Sequence, residues 1–299
     1  PDEIRALVKK HKLHDYLFML LGLLCLFIGI LAFSGLLLNM ALDGLPRLNA
    51  DFFFSFSSRR ASSAGIFAAW VGSFFVMLVT ALTAVPLGIA AGVYLEEYAA
   101  KNWITDIIEI NTTNLAGIPS IIYGLLGLGL FVYQFGFGRS ILSAGLTLAL
   151  LILPVVIVAT RESIRAIPIS IREAAFGIGA TKWQMVSQHV VPYSMSGILT
   201  GVIIGLARAI GETAPLIVIG ASTFIAFLPA DSVTEFISFA WLTKPFTVMP
   251  IQMFNWVSRP EESFQVNAAA AGLVLILMTL LMNGMAIWLR YHLRKKIKW

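Results

Sequence analysis

An all-α integral membrane protein, a bundle of six transmembrane helices, is the fold this sequence predicts, and two observations carry the prediction. The first is composition: of 299 residues, 58% are hydrophobic and only 12% charged, about half the charged share of a water-soluble globular chain. The second is continuity. Stretches 16–42, 61–95, 110–138, 140–160 and 263–289 contain no charged residue, and a sixth, 197–230, is interrupted only by Arg208 and Glu212. About 18 or more such residues cross a hydrocarbon core near 30 Å thick. One bundle therefore accounts for the chain better than two soluble domains, and disorder is excluded.

In chain order, 1–15 reads as a cytoplasmic N-terminal segment and 16–42 as the first transmembrane helix. That run exceeds the about 7–15 residues of a signal-peptide core, so it is expected to remain as an uncleaved span. Cys25 inside it is the only cysteine, which excludes an internal disulfide. The other five spans form a core over 61–289, with a long loop at 161–192, another at 231–267, and a basic tail at 290–299. Pro86, Pro119, Pro154 and Pro215 fall inside the second to fifth runs. Each lacks a backbone donor and is expected to kink its helix. Small residues recur every fourth position as Ala84, Gly88, Gly92 and as Gly197, Gly201, Gly205, Ala209. Such stripes let two backbones approach closely, and ordinary packing within the bundle is the simpler reading.

Lys and Arg number 21 against 16 Asp and Glu, for a net charge of +5. In a membrane protein that excess reports orientation and contact with membrane lipid, not nucleic acid. With both termini cytoplasmic, fourteen of these cations fall on the inner side, among them Lys101, Arg161, Arg165, Arg172 and Lys182, and six fall outside. The six are Arg47, Arg59, Arg60, Arg139, Lys244 and Arg259.

Helix connections in bundles usually take about 2–8 residues, so the two long loops have more to do than connect. The inner one, 161–192, carries Glu173, Ala174, Ala175 and a stretch 182–188 that tolerate helix. The outer one mixes Trp241, Pro245, Phe246, Pro250, Trp256 and Pro260. That mixture is expected to lie at headgroup level, as an anchor or as a docking surface for an extracytoplasmic partner.

Catalytic signatures are missing. There is no H-E-x-x-H, no paired Cys, no G-x-S-x-G and no Walker A sequence, so the chain cannot cradle ATP and is not expected to be an enzyme. His11, His14, His189 and His292 sit in end segments or the inner loop, which disfavours a metal site. Asn111-Thr112-Thr113 matches a glycosylation sequon, but the topology puts it inside, and it is read as a chance match.

The inner loop has an ordered spacing: Glu173-Ala174-Ala175, Gly179 six residues after the glutamate, and Val190-Val191-Pro192, with Pro192 nineteen residues after it. Physically this describes a short amphipathic helix, a glycine allowing positive φ, a second helix, and a proline that stops it before the next span. The pattern resembles the EAA loop of ABC importer permeases, with Val191 in place of the usual leucine. Further segments, Asn114 to Gly127, Ala207-Arg208-Ala-Ile-Gly-Glu212-Thr213-Ala214-Pro215, Pro250 to Pro260 and Pro86 to Tyr98, resemble the PstA family of phosphate-specific ABC importer permeases. This resemblance implies a type I (MetI-like) permease fold and a second, related permease. It also implies two cytoplasmic ATPase subunits that bind ATP-Mg, an extracytoplasmic phosphate-binding protein, and inorganic phosphate as cargo. No cofactor is expected on this chain.

Arg208 and Glu212 are four residues apart on one helix face, and ionisable groups inside a span usually face the bundle interior. About 100° per residue puts Arg208 about 60° from the glycine stripe. It can therefore face a cavity while the glycines face a neighbour. A break over 211–215 is expected, with freed N–H groups near Thr213 attracting an anion. The substrate path is thus assigned to Arg208, Glu212 and Thr213, and ATPase coupling to Glu173, Ala174, Ala175, Gly179 and Pro192. A buried pair locking two helices is the alternative role for Arg208 and Glu212. A permease for sulfate or molybdate, or an ATP-independent anion transporter, are the alternative functions.

Overall fold

The computed structural model describes residues 2–230 and 232–294, and every regular element among them is helical. Lys295, Lys296 and Lys298 of the expected basic tail lie outside the described residues. Helix α1 (Asp2–Gly44) is 43 residues long, and the apolar window that qualifies it as a span is not buried at all. It meets the rest of the chain at its far end. There Gly44 lies against the backbone of Ala269 and Ala270, an approach that leaves no room for a Cβ.

A short helix α2 (Ala50–Phe54) is capped by Asn49, whose side chain accepts from the Phe52 N–H. Helix α3 (Phe67–Val93) then runs into a π turn, Tyr94–Tyr98. Next come α4 (Trp103–Leu115) and α5 (Ser120–Gly127), the latter widening into a π turn at Leu128–Gln134. Helix α6 (Ile141–Arg165) is capped by Ser140, which accepts from the Ser143 N–H.

Helix α6 is the central column. Gly88 and Gly92 of α3 close on Val156 and Thr160 of α6. On another side of α6, Gly197, Gly201 and Gly205 close on Ser163, Ala159 and Ile152. Both small-residue stripes are therefore seams within this chain, each letting a neighbour approach α6 closely. Leu148, Leu151, Ile152 and Val156 of α6 are essentially inaccessible between them. Helices α3 and α6 run on through Pro86 and Pro154.

The third apolar run differs from a single helix. It breaks at 116–119, and α4 and α5 meet at 107°. Pro119 is extended (φ −55°, ψ 133°), and a proline disfavours helix in the residue before it. Tyr123, buried, donates its hydroxyl to the Leu115 carbonyl at 2.8 Å across the elbow. Among the described residues five helices are long and apolar enough to cross a membrane, and the bent pair makes a sixth crossing if counted as one.

After α6 come α7 (Ile169–Gly177), α8 (Lys182–Met185), a π turn Val186–Val190, and α9 (Val191–Gly211). Pro192 does not stop a helix, contrary to the sequence reading: helix is continuous over Lys182–Gly211. The ring of Pro192 would press on the carbonyl four residues back in an α-helix, and the wider π turn beneath it absorbs that clash.

Helix α10 (Ala214–Ile219) follows a two-residue break, and α11 (Val233–Ile237), α12 (Met249–Val257) and α13 (Glu262–Arg294) complete the fold. The aromatics of 231–267 divide: Phe236, Phe239 and Phe254 are exposed, as a docking or anchoring surface requires, while others pack inward. Trp241, Phe246 and Trp256 are at most 3% exposed. Trp241 packs on Phe75 with ring centroids 4.7 Å apart, and Trp256 on Phe52 at 6.0 Å. Large rings stabilise most when fully covered, so this loop folds inward as a plug between α3 and α13. Arg47 fastens the same end, bonding the Asn267 side chain at 2.8 Å and the Ser62 and Ala64 carbonyls at 2.8 and 3.0 Å.

Candidate functional site

Two sets of residues stand apart from ordinary packing, one where the fifth span breaks and one at the end of the bundle that carries α7. At the break, α9 ends at Gly211 and Glu212 turns extended (φ −73°, ψ 128°). Arg208 Nε donates to Glu212 Oε1 at 3.3 Å. Among the described residues no other bond to that guanidinium is found, so Nη1 and Nη2 remain available. The Arg208 side chain is 38% exposed and that of Glu212 17%. Ala209 and Ile210, beside it, turn inward toward Ser73, Leu148 and Leu216. Leu148 is seven residues into α6, which places this level about 10 Å along that helix from its start.

Thr213 sits at the N-cap position of α10 without a side-chain cap. The expected anion-attracting helix start is weak here. Helix α10 has six residues, Pro215 contributes no N–H, and the Leu216 and Ile217 N–H groups are both taken by the Thr213 carbonyl at 3.1 Å. A macrodipole needs several aligned free N–H groups, and this end lacks them. The second helices of the two broken runs meet: Gly124 of α5 lies so close to the Pro215 backbone of α10 that a Cβ would sit 2.7 Å from Pro215 Cα. Discontinuous helices of this kind are a recurrent way to build substrate sites inside transporters.

At the other end, α7 separates the residues that the sequence grouped together. Glu173 and Ala174 face outward, while Ala175 is buried with Ile164, Met185, Val186 and Val190. Ile169, Phe176 and Ile178 are exposed by 70%, 48% and 82%. Ile169, Glu173 and Phe176 follow the i, i+4, i+7 spacing of one helix face. The loop thus presents an apolar ridge with one carboxylate. Gly179 has φ +84°, the left-handed conformation its position in the turn requires. Thr181 and Gln184 then form a capping box that starts α8. Pro192 lies inside the continuous helix, apart from this ridge.

A charge network behind the ridge was not singled out from the sequence, where these arginines served only to orient the chain. Arg161, 5% exposed, reaches Glu109 of α4 at 2.7 Å and Glu96 at 3.5 Å. Arg165 reaches Glu96 at 3.1 Å and Glu162 at 3.2 Å. Arg172 of α7 bonds Glu97 at 2.8 Å. Glu96 and Glu97 close the second apolar run, and their opposite charge to the loop arginines on the same side was the available signal.

The arrangement offers a charged pair at a helix break and an exposed apolar ridge whose helix is tied to a neighbouring helix end through Arg172 and Glu97. A family model described as binding-protein-dependent transport system inner membrane component matches residues 84–299. The probable ABC transporter permease protein YqgI of Bacillus subtilis (strain 168) is 30% identical, covering 88% of this chain and 90% of that protein. The phosphate transport system permease protein PstA of Yersinia pestis is 36% identical, covering 75% and 72%. Among solved structures, an inward-facing MetNI methionine ABC transporter aligns with a TM-score of 0.54 at 14% identity, covering 74% of this chain and 94% of that one. A bacterial transporter for the acidic polysaccharide alginate aligns at 0.50 and 16%, covering 87% and 88%. At these identities the solved structures show the fold alone, that of type I ABC importer permeases. The chain belongs to the binding-protein-dependent transport system inner membrane components.

Proposed function

We propose that this chain is a permease subunit of an ATP-driven importer of inorganic phosphate, forming the path with a second, related permease. The observation that carries the proposal is the exposure of Arg208. A charged side chain facing lipid within a span is costly, so a 38% exposed guanidinium in the last turn of α9 calls for a polar surface opposite it. A second permease completing a shared path supplies one. The guanidinium fork suits a phosphate oxygen pair, and Glu212 offsets its charge when the path is empty, so that the ion is not trapped. The PstA relatives support phosphate as the cargo.

Glu173, Ala174 and the Ile169, Phe176 and Ile178 ridge then fit a groove on a cytoplasmic ATPase subunit, with Gly179 setting the turn behind them. This orientation agrees with the cation bias, which puts α7 and both termini in the cytoplasm. ATP-Mg binds the two ATPases, and their closure moves α7 and switches the path between inward-open and outward-open. A phosphate-binding protein delivers cargo outside. The test is uptake of radiolabelled phosphate into vesicles holding the purified complex. Uptake requiring ATP and the binding protein, and resisting competition by sulfate and molybdate, supports the reading. Full uptake by this chain alone without nucleotide overturns it.

A further inference from the structure

Arg172 lies beside Glu173 in sequence but is turned about 100° from it around α7, half-buried where Glu173 is exposed, and its bonds are unusual in number and direction. Its Nε and Nη2 donate to Glu97 Oε1 at 3.0 and 2.8 Å, its Nη1 to the Ile167 carbonyl at 2.7 Å, and its Nη2 also to the Ile164 carbonyl at 3.0 Å. Four donations leave one guanidinium N–H, and the planar fork is what lets one side chain face a carboxylate and two carbonyls at once. Glu97 closes the π turn that ends α3. Ile164 lies in the last turn of α6; its carbonyl also accepts the Ile167 N–H at 3.1 Å, and it stands at the helix end that favours a cation.

Among the described residues no other hydrogen bond or ion pair leads from α7 to α3 or α6. The remaining attachment of α7 is apolar, through Ala175 packed with Ile164 of α6 and with Met185, Val186 and Val190, which lead into α9, with Val93 at the end of α3 beside them. Helix α7 is therefore held by two separate links. One is apolar and takes in α9 and the ends of α6 and α3; the other is Arg172, the polar tie to Glu97 and to the Ile164 and Ile167 carbonyls. The Glu97 carboxylate is 8% exposed and the Arg172 side chain 20%, so the second link is shielded from the solvent that weakens surface pairs.

We propose that Arg172 is the positioning residue that transmits displacement of α7 to the ends of α3 and α6, so that ATP hydrolysis in the partner is tied to movement of the path. The proposal rests on the reading of this chain as an ATP-driven permease. Without the clamp, α7 still docks through its outward ridge but keeps only its apolar contacts and its chain connection to α6, and hydrolysis is released from control by the loaded binding protein.

The experiment uses the whole reconstituted complex and reads two ratios: ATP hydrolysis with against without phosphate-loaded binding protein, and phosphate imported per ATP hydrolysed. R172K keeps the charge and loses the fork, E97Q keeps size and the carbonyl bonds of Arg172, and R172M removes the link. In R172M both ratios are expected to fall by about fivefold or more, with R172K and E97Q intermediate and basal hydrolysis retained. A purely structural role lowers complex recovery and leaves both ratios of the surviving complex unchanged. If R172M does not assemble, R172K and E97Q decide: ratios within twofold of the parent overturn the proposal, and lowered ratios support it. Absence of phosphate import by the parent complex would instead overturn the functional reading itself.

Discussion

The hydroxyl of Tyr123 lies 2.8 Å from the carbonyl of Leu115 and ties α5 to the end of α4 across a 107° elbow. The same carbonyl accepts the Ile118 N–H at 3.2 Å, so the elbow is closed by one backbone and one side-chain bond. Tyr123→Phe keeps the buried ring and removes only the second. A stability loss of about 1 kcal/mol is expected, read as a lower thermal midpoint of the purified chain in detergent. An unchanged midpoint would mean that the bond does not hold the elbow.

The seam between α6 and α9 makes a sharper prediction. A Cβ on Gly201 overlaps Ala159, whereas one on Gly129 meets nothing within 4 Å. Gly201→Val is expected to force the helices apart at a cost of about 1–3 kcal/mol, with reduced recovery of folded chain on size-exclusion chromatography. Gly129→Ala should be silent. Equal recovery of the two variants would contradict the close approach.

On α7, Ile178 is 82% exposed and contributes little to this chain's own packing. Ile178→Asp leaves the fold intact and places a charge in the proposed ATPase groove. Assembly with ATPase subunits, or ATP hydrolysis stimulated by the loaded binding protein, is expected to fall by about tenfold, equivalent to about 1.4 kcal/mol. Ala174→Asp, on the same outward side, should act in the same direction. Normal assembly and stimulation in both variants would remove the docking surface.

Much of the fold was legible because a membrane imposes length and polarity on each helix. Runs such as 16–42 and 140–160 became helices for that reason, and the four-residue stripes at Gly88 and Gly201 became seams. The elbow at Pro119 was seen only as a kink, because sequence marks the breaker and not the angle that Tyr123 fixes. At 231–267 the aromatics were legible as a group, but not which of them pack inward: Trp241 and Trp256 meet Phe75 and Phe52, which tertiary folding brings to them. At the sites, the spacing of Glu173 and Gly179 located the ridge, and four-residue spacing located Arg208 and Glu212. Arg172 stayed hidden because its partners, Glu97 and the Ile164 carbonyl, are brought to it by tertiary folding.

The most direct measurement is phosphate uptake by the complete complex carrying Arg208→Gln, compared with the parent at equal assembly. If Arg208 faces the transit path, uptake falls by about tenfold or more, while the complex still forms and still hydrolyses ATP. Uptake near the parent rate, with assembly intact, would show that phosphate crosses without Arg208.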